Sequence, residues 1–229
     1  MTLLSKRLQA VYQMVDTNTR VADIGSDHAY LPVELIEQGI ASYAIAGEVA
    51  PGPMSRSKKD VDKFGLSGKI DVRLGDGLSV IKENDHIQTV VIAGMGGILI
   101  QDILTRATVE QLSHVQTLIL QPNIGEPLVR HWLVENNFKI VDEDIVAEDN
   151  HVYEIIKAQK TDAAISLSEP EFLMGPILIQ KKTPTFVAKW QHKLQGYHKA
   201  VTNMKRAKQI DQAKIDVMNQ YIKYIEEIL

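Results

Sequence analysis

The 229-residue chain contains no cysteine, which excludes a disulfide framework, a thiolate nucleophile and any Cys-based zinc site. None of its seven histidines lies three or four residues from another, so helix-borne zinc motifs are missing and no metal is expected. No run of 18 apolar residues is present, so no membrane-spanning helix is expected. The opening Met1-Thr-Leu-Leu-Ser-Lys-Arg-Leu8 lacks the apolar core and small-residue cleavage site of a secretory signal, and a cytoplasmic location is the expectation. Internal repeats and low-complexity segments are also lacking.

What is present is an ordinary globular composition, 45% hydrophobic and 24% charged, in a chain long enough for one α/β domain and a smaller appendage. The net charge of −4 argues against nucleic acid until its distribution is considered. From Lys181 onward stand ten Lys/Arg against four Asp/Glu, whereas the first 180 residues hold 15 against 25. An acidic body carries a basic tail.

Apolar runs alternate with helical patterns along the first 160 residues. Strands are expected at Val21–Gly25, Tyr43–Glu48, Ile70–Leu74, Thr89–Ala93 and Thr117–Leu120. Helices are expected at residues 3–15, Ala29–Gln38, Pro51–Phe64 and Glu126–Glu135, with another starting near Gly97. Lys139–Ala147 and Val152–Lys160, split by the polar Glu148-Asp-Asn-His, read as a closing antiparallel hairpin. The expected fold is therefore α/β, a Rossmann-like, mostly parallel sheet over residues 1–160. Residues 161–183 read as a connector with some local helix. Over residues 184–229, Val187, Trp190, Leu194, Tyr197, Val201 and Met204, then Ile215, Met218, Ile222, Ile225 and Leu229, repeat by threes and fours. Two helices in an antiparallel hairpin with coiled-coil spacing, joined near residues 209–211, follow from that pattern. Such a seam can close within one chain or between two, which admits a monomer or a weak homodimer.

The strand ends carry the chemistry. In an open parallel sheet a ligand lies across the carboxyl ends of the strands. Gly25 permits a tight turn after the first strand, but Asp27 stands where a dinucleotide fingerprint needs its second glycine, and the third is missing. A carboxylate repels a diphosphate, so NAD and FAD are disfavoured. S-adenosylmethionine has no phosphate and offers an ammonium to Asp23 or Asp27, while backbone N–H groups around Gly25, Ser26 and His28 can take its carboxylate. Glu48, followed by Val49, ends the second strand where an acid holds both ribose hydroxyls. Asp76, before Gly77, can accept from the adenine 6-amino group or simply make a turn. Ala93, Gly94 and Met95 open a run whose small residues leave the ligand room where the fourth strand passes it.

Asp23-Ile-Gly-Ser-Asp-His-Ala-Tyr-Leu-Pro32, Gly47-Glu48, Gly75-Asp-Gly-Leu78, Ile92-Ala-Gly-Met-Gly-Gly97 and Leu120-Gln-Pro-Asn123 resemble class I methyltransferases. The closer resemblance is to the bacterial tRNA (adenine-22 N1)-methyltransferase family, from residue 1 through the hairpin. The general Asp-x-Gly-x-Gly-x-Gly pattern is broken at Asp27 and Ala29. The resemblance implies methyl transfer from S-adenosyl-L-methionine to N1 of a tRNA adenosine, with the hairpin assisting tRNA binding.

N1 of neutral adenine has an in-plane lone pair and no proton, so direct displacement needs no general base. Positioning, and acceptors for growing positive charge, are then the catalytic means. Asp27 and Asn123 are the candidates to meet the adenine edge, with His28 and Tyr30 stacking or hydrogen-bonding. His28 has a plainer alternative as a helix cap, and Asn123 as a turn residue. N1 lies on the Watson–Crick edge, so the base must leave its stack. Lys189, Lys193, Lys199, Lys205, Arg206 and Lys208 are the residues expected to grip RNA phosphates. Two alternatives are a methyltransferase for a protein or small molecule with the hairpin as a dimerisation arm, and a non-catalytic nucleotide-binding module.

Overall fold

A computed structural model describes residues 4–206 and 211–229 of the chain. The polypeptide divides into two compact units, Met1–Ser166 and Leu167–Leu229.

The first unit is built on seven strands, β1 (Thr19–Ile24), β2 (Ala41–Glu48), β3 (Ile70–Leu74), β4 (Thr89–Met95), β5 (Thr117–Pro122), β6 (Phe138–Glu148) and β7 (His151–Lys160). They form one sheet in the order β3-β2-β1-β4-β5-β7-β6. The first five are mutually parallel, while β7 runs antiparallel to β5 and to β6. Five parallel strands closed by an antiparallel pair is the architecture expected from the sequence. The central strands are apolar on both faces because helices cover both: Val21, Ala22, Val90, Val91, Ile92 and Leu118–Leu120 are all buried.

Helices α1 (Lys6–Gln13), α2 (Tyr30–Glu37), α3 (Pro51–Lys63), α4 (Gly97–Thr105), α5 (Val109–Leu112) and α6 (Glu126–Glu135) make the connections. Helix α1 starts on a Ser5 cap, buries Ala10 and Val11, and packs on β6, β7 and α2. Parallel strands need such crossovers, and their right-handed course brings the ends of β1 to β5 out along one edge. That edge carries the candidate site.

In the second unit, α7 (Glu169–Met174) and α8 (Pro176–Lys181) occupy most of the segment expected as a connector. Helices α9 (Pro184–Lys205) and α10 (Gln212–Ile228) run antiparallel. The Tyr197 and Tyr221 rings lie 5.8 Å apart and tilted by 52°, and Val201, Ile215 and Ile222 share an apolar cluster with Leu194, Met204 and Met218. Among the described residues no helix is long and apolar enough to cross a membrane. No group of three or more His, Asp or Glu side chains is placed there to hold a metal ion.

Candidate active site

The turn after β1 is wound left-handed. Gly25 has φ +74°, and Asp27, His28 and Ala29 follow at +39°, +67° and +54°. In the general methyltransferase pattern glycines adopt such angles freely; here side-chain-bearing residues do so, at about 1–2 kcal/mol each. Contacts offset that strain. Gly25 and Ser26 donate backbone N–H bonds to the Gly47 carbonyl on β2, at 2.9 and 3.2 Å. His28 Nδ1 lies 2.9 Å from Asp60 Oδ2 on α3, and its ring stacks 5.2 Å from Tyr30. His28 is therefore a tether and not a cap: α2 begins after Ala29, which makes no side-chain capping bond. A Cβ on Gly25 would displace the terminal methyl of Met95, a flexible group that can move aside, so the positive φ is what calls for glycine there.

Two acids are buried side by side on adjacent strands. Asp23 accepts a 2.6 Å bond from Ser26 Oγ, and Glu48 accepts a 3.1 Å bond from the fully buried Ser57 Oγ. Burial pushes the Asp23 carboxyl up to about 7; the Ser26 bond opposes this, the Glu48 charge adds to it, and Arg7 opposes it. Asp27 stays exposed at the mouth. A cavity of about 430 Å³ opens here, bounded by Asp23, Gly25, Ser26, Asp27, Tyr30, Ala93, Gly94 and the Leu4–Leu8 segment.

Asp76 stands past the end of β3, bound by Arg106 through Nη1–Oδ2 at 2.6 Å and Nη2–Oδ1 at 3.4 Å. With Gly77, Ile103 and Gln111 this pair bounds a second cavity of about 230 Å³. Val49, at the tip of β2, is 71% exposed.

On the other side β4 bulges between Ala93 and Met95 as it pairs with β5. The bulge turns the Gly94 N–H to Gln121 Oε1 at 2.9 Å and its carbonyl to Asn123 Nδ2 at 2.8 Å. Gln121 Nε2 donates to Asn123 Oδ1 at 3.2 Å, and Arg7 Nη1 donates to Gln121 Oε1 at 2.7 Å. The fold thus gathers Asp23, Gly25, Ser26, Asp27, Ala93 and Gly94 around one cavity, with Asn123 beside it, Glu48 on the neighbouring strand, and Asp76 and Gly77 at a second cavity. Sequence reasoning missed Arg7, Ser57, Asp60, Arg106 and Gln121. Of these only Gln121 carried a local signal, a polar residue closing an apolar run.

The basic residues of the second unit are spread around α9. Lys189 and Lys193 flank Trp190, with their ammoniums 5.8 and 5.6 Å from its ring centroid. At 100° per residue Lys199 and Arg206 lie on another face, and Lys205 on a third. Lys208 lies outside the described residues.

Comparison with known proteins gives a consistent answer. Residues 21–227 match the family model described as tRNA (adenine(22)-N(1))-methyltransferase. A Bacillus subtilis (strain 168) protein of that description is 42% identical over 216 residues, covering 92% of this chain and 90% of its own. A Streptococcus pneumoniae protein solved in complex with S-adenosyl-L-methionine is 39% identical, with a TM-score of 0.89 over 99% of this chain and 100% of the other. M. capricolum TrmK, solved with S-adenosyl-homocysteine, is 27% identical, with a TM-score of 0.84 over 98% of this chain and 96% of the other.

Proposed function

Because the chain belongs to the tRNA (adenine(22)-N(1))-methyltransferase family, we propose that the tips of β1, β2 and β3 hold S-adenosyl-L-methionine and that Asp27 and Asn123 meet the acceptor adenine. The enzyme transfers a methyl group from S-adenosyl-L-methionine to N1 of adenosine 22 in tRNA. The observation that carries the residue assignment is the pair of buried acids, Asp23 and Glu48, each with one oxygen held by a serine.

This donor set fits the cofactor. Two buried carboxylates on adjacent strands suit a cation and a diol, and they repel a diphosphate. Asp23 takes the ammonium of the methionine end, and backbone N–H groups of the left-handed turn around Gly25, Ser26 and His28 take its carboxylate. Glu48 presents its second oxygen to the ribose hydroxyls, with Val49 beside the adenine face. Asp76 accepts from the adenine 6-amino group above Gly77, sharing its carboxylate with Arg106. Ala93, Gly94 and Met95 leave open the passage between cofactor and acceptor.

When bound, the sulfonium supplies an electrophilic methyl carbon. The N1 lone pair forms the new N–C bond as the S–C bond breaks, and no proton leaves. The chain's task is to hold the adenine in line and to stabilise the positive charge that spreads to its 6-amino group. Asn123 Oδ1 and the exposed Asp27 carboxylate are acceptors suited to that charge. Helix α9 brings Lys189, Lys193, Lys199, Lys205 and Arg206 to the RNA backbone, as sequence-independent phosphate contacts. The seam of α9 closes on α10 of the same chain, which supports a monomer, and a tRNA substrate supports a cytoplasmic location.

Two measurements test this reading. Glu48→Ala should raise the dissociation constant for S-adenosyl-L-methionine roughly 30-fold by calorimetry, equivalent to about 2 kcal/mol for hydrogen bonds to a charged group. Nucleosides from tRNA incubated with the enzyme and labelled cofactor should contain new 1-methyladenosine by mass spectrometry, lost in Asn123→Ala. Unchanged cofactor affinity in Glu48→Ala would remove the ribose assignment, and wild-type product levels in Asn123→Ala would remove the acceptor assignment.

A further inference from the structure

We propose that Arg7, on the helix preceding β1, is a positioning residue for methyl transfer: it sets the direction of a hydrogen-bonded chain that ends on Asn123. The inference rests on Asn123 being the group that meets the adenine. A guanidinium only donates. Arg7 Nη1 therefore fixes Gln121 Oε1 as the acceptor facing it, at 2.7 Å, and the Gly94 N–H reaches the same oxygen at 2.9 Å. Two donors on one oxygen force Gln121 Nε2 to the other side, where it donates to Asn123 Oδ1 at 3.2 Å. Asn123 then has no choice of orientation. Its Nδ2 donates to the Gly94 carbonyl, and its Oδ1 keeps a second lone pair for an incoming N–H donor. Inverting either amide would set donor against donor inside a network whose centre, Gln121, is fully buried.

Arg7 is held for this role by elements remote in sequence. Glu148 at the end of β6 accepts the backbone N–H bonds of Lys6 and Arg7 at 2.6 and 3.3 Å. The Tyr153 ring lies 5.6 Å from the Arg7 guanidinium carbon. The bulge glycine makes room for it, since a Cβ on Gly94 would come within 3.3 Å of Nη1. Because Arg7 also borders the 430 Å³ cavity and acts on the Asp23 charge, one side chain touches both the cofactor side and the acceptor side.

A double-mutant cycle on full-length enzyme with tRNA, at saturating S-adenosyl-L-methionine, tests the proposal. Arg7→Met should lower kcat about tenfold, and adding Asn123→Ala to it should cost little beyond Asn123→Ala alone. Arg7→Lys, which restores a cationic donor without the planar fork, should recover part of the loss. Gln121→Glu is the second variant: it still accepts from Arg7 and Gly94 but cannot donate to Asn123, so the melting temperature should drop modestly and kcat should fall at temperatures where circular dichroism shows the variant still folded. If the two single effects multiply, or if Arg7→Met changes only the calorimetric cofactor affinity, Arg7 does not act through Asn123 and the proposal is overturned. If Asn123→Ala alone leaves kcat intact, the acceptor assignment itself fails and takes this inference with it.

Discussion

His28 Nδ1 stands 2.9 Å from Asp60 Oδ2, and this bond ties the left-handed turn after β1 to helix α3. Asp27, His28 and Ala29 hold positive φ without being glycine. The turn is therefore strained by a few kcal/mol and depends on what grips it. Asp60→Ala removes the grip and leaves the core untouched. The expected result is a five- to tenfold weaker affinity for S-adenosyl-L-methionine, about 1 kcal/mol, with little change in melting temperature. Equal affinity in calorimetry would show that the turn holds its shape without the tether.

Asp23 gives the free enzyme a pH dependence of predictable sign. Burial raises its carboxyl from 3.8 in an unperturbed chain to about 7, so between these values the folded state keeps a proton that the unfolded chain has lost. Its contribution to stability is present at pH 4 and is lost as pH rises through about 7. Melting temperatures of wild type and Asp23→Asn, compared from pH 4 to 8, should diverge in that window, with the variant gaining relative stability at the alkaline end. A cationic ligand reverses the preference. Binding of S-adenosyl-L-methionine below pH 7 should expel a proton from Asp23, visible as a calorimetric enthalpy that varies with the buffer's ionisation heat. A buffer-independent enthalpy at pH 6 would place the ammonium elsewhere.

Much of this geometry is legible in the sequence, because apolar runs ending in acids or glycines mark strand tips. The bounds of β3 and α6 coincide with those read from the pattern. β1 starts earlier than its apolar run, at Thr19, whose hydroxyl bonds Thr89 across the sheet at 2.9 Å; a polar strand start leaves no hydropathy signal. β4 continues to Met95 because pairing with β5 resumes past the bulge, where Met95 faces Pro122 and Gly94 is left out of register. Glycine is missing at positions 27 and 29, yet the left-handed turn forms anyway because tertiary contacts impose it. Arg7 was illegible for a different reason. It lies 114 residues from Gln121, on the polar face of a helix read only for its apolar stripe. The sequence around Asp76 points to an adenine acceptor or a turn residue but carries no sign of its Arg106 partner 30 residues on.

A buried ion-pair cluster supports the edge of the sheet and offers a stability test independent of the active site. Arg130 on α6 reaches Glu143 on β6, with Nε at 2.9 Å, and Glu154 on β7, with Nη2 at 2.5 Å; all three side chains are buried. Arg130→Met strands two carboxylates in the interior and should destabilise the protein by about 3–5 kcal/mol, lowering the melting temperature by roughly 10 °C. Arg130→Lys should rescue little, because one ammonium cannot fork between both acids. Replacing all three by apolar residues of similar volume should recover most of the loss. A loss under 1 kcal/mol in Arg130→Met would mean that water or a rearranged neighbour satisfies the acids.

The second unit's role in holding RNA can be read from salt dependence, because each phosphate neutralised by a lysine releases counterions. The logarithm of affinity then falls with log salt by about 0.9 per contact on B-form DNA and about 0.7 on single strands, and a slope of that order is expected on a tRNA stem. Lys189 and Lys193 lean on Trp190, while Lys199 and Arg206 lie within about 20° of each other on a separate exposed face of α9. A rigid tRNA stem can follow one of these tracks more closely than the other. Lys199 and Arg206 are the exposed pair, so Lys199→Glu with Arg206→Glu should flatten the salt slope by nearly two units and weaken tRNA binding. The same charge reversal at Lys189 and Lys193 should reduce the slope less. S-adenosyl-L-methionine affinity should be unchanged in both variants, since the proposed cofactor residues all belong to the first unit. If both double variants keep the wild-type slope, helix α9 does not carry the phosphate contacts, and its positive charge is a solvated surface.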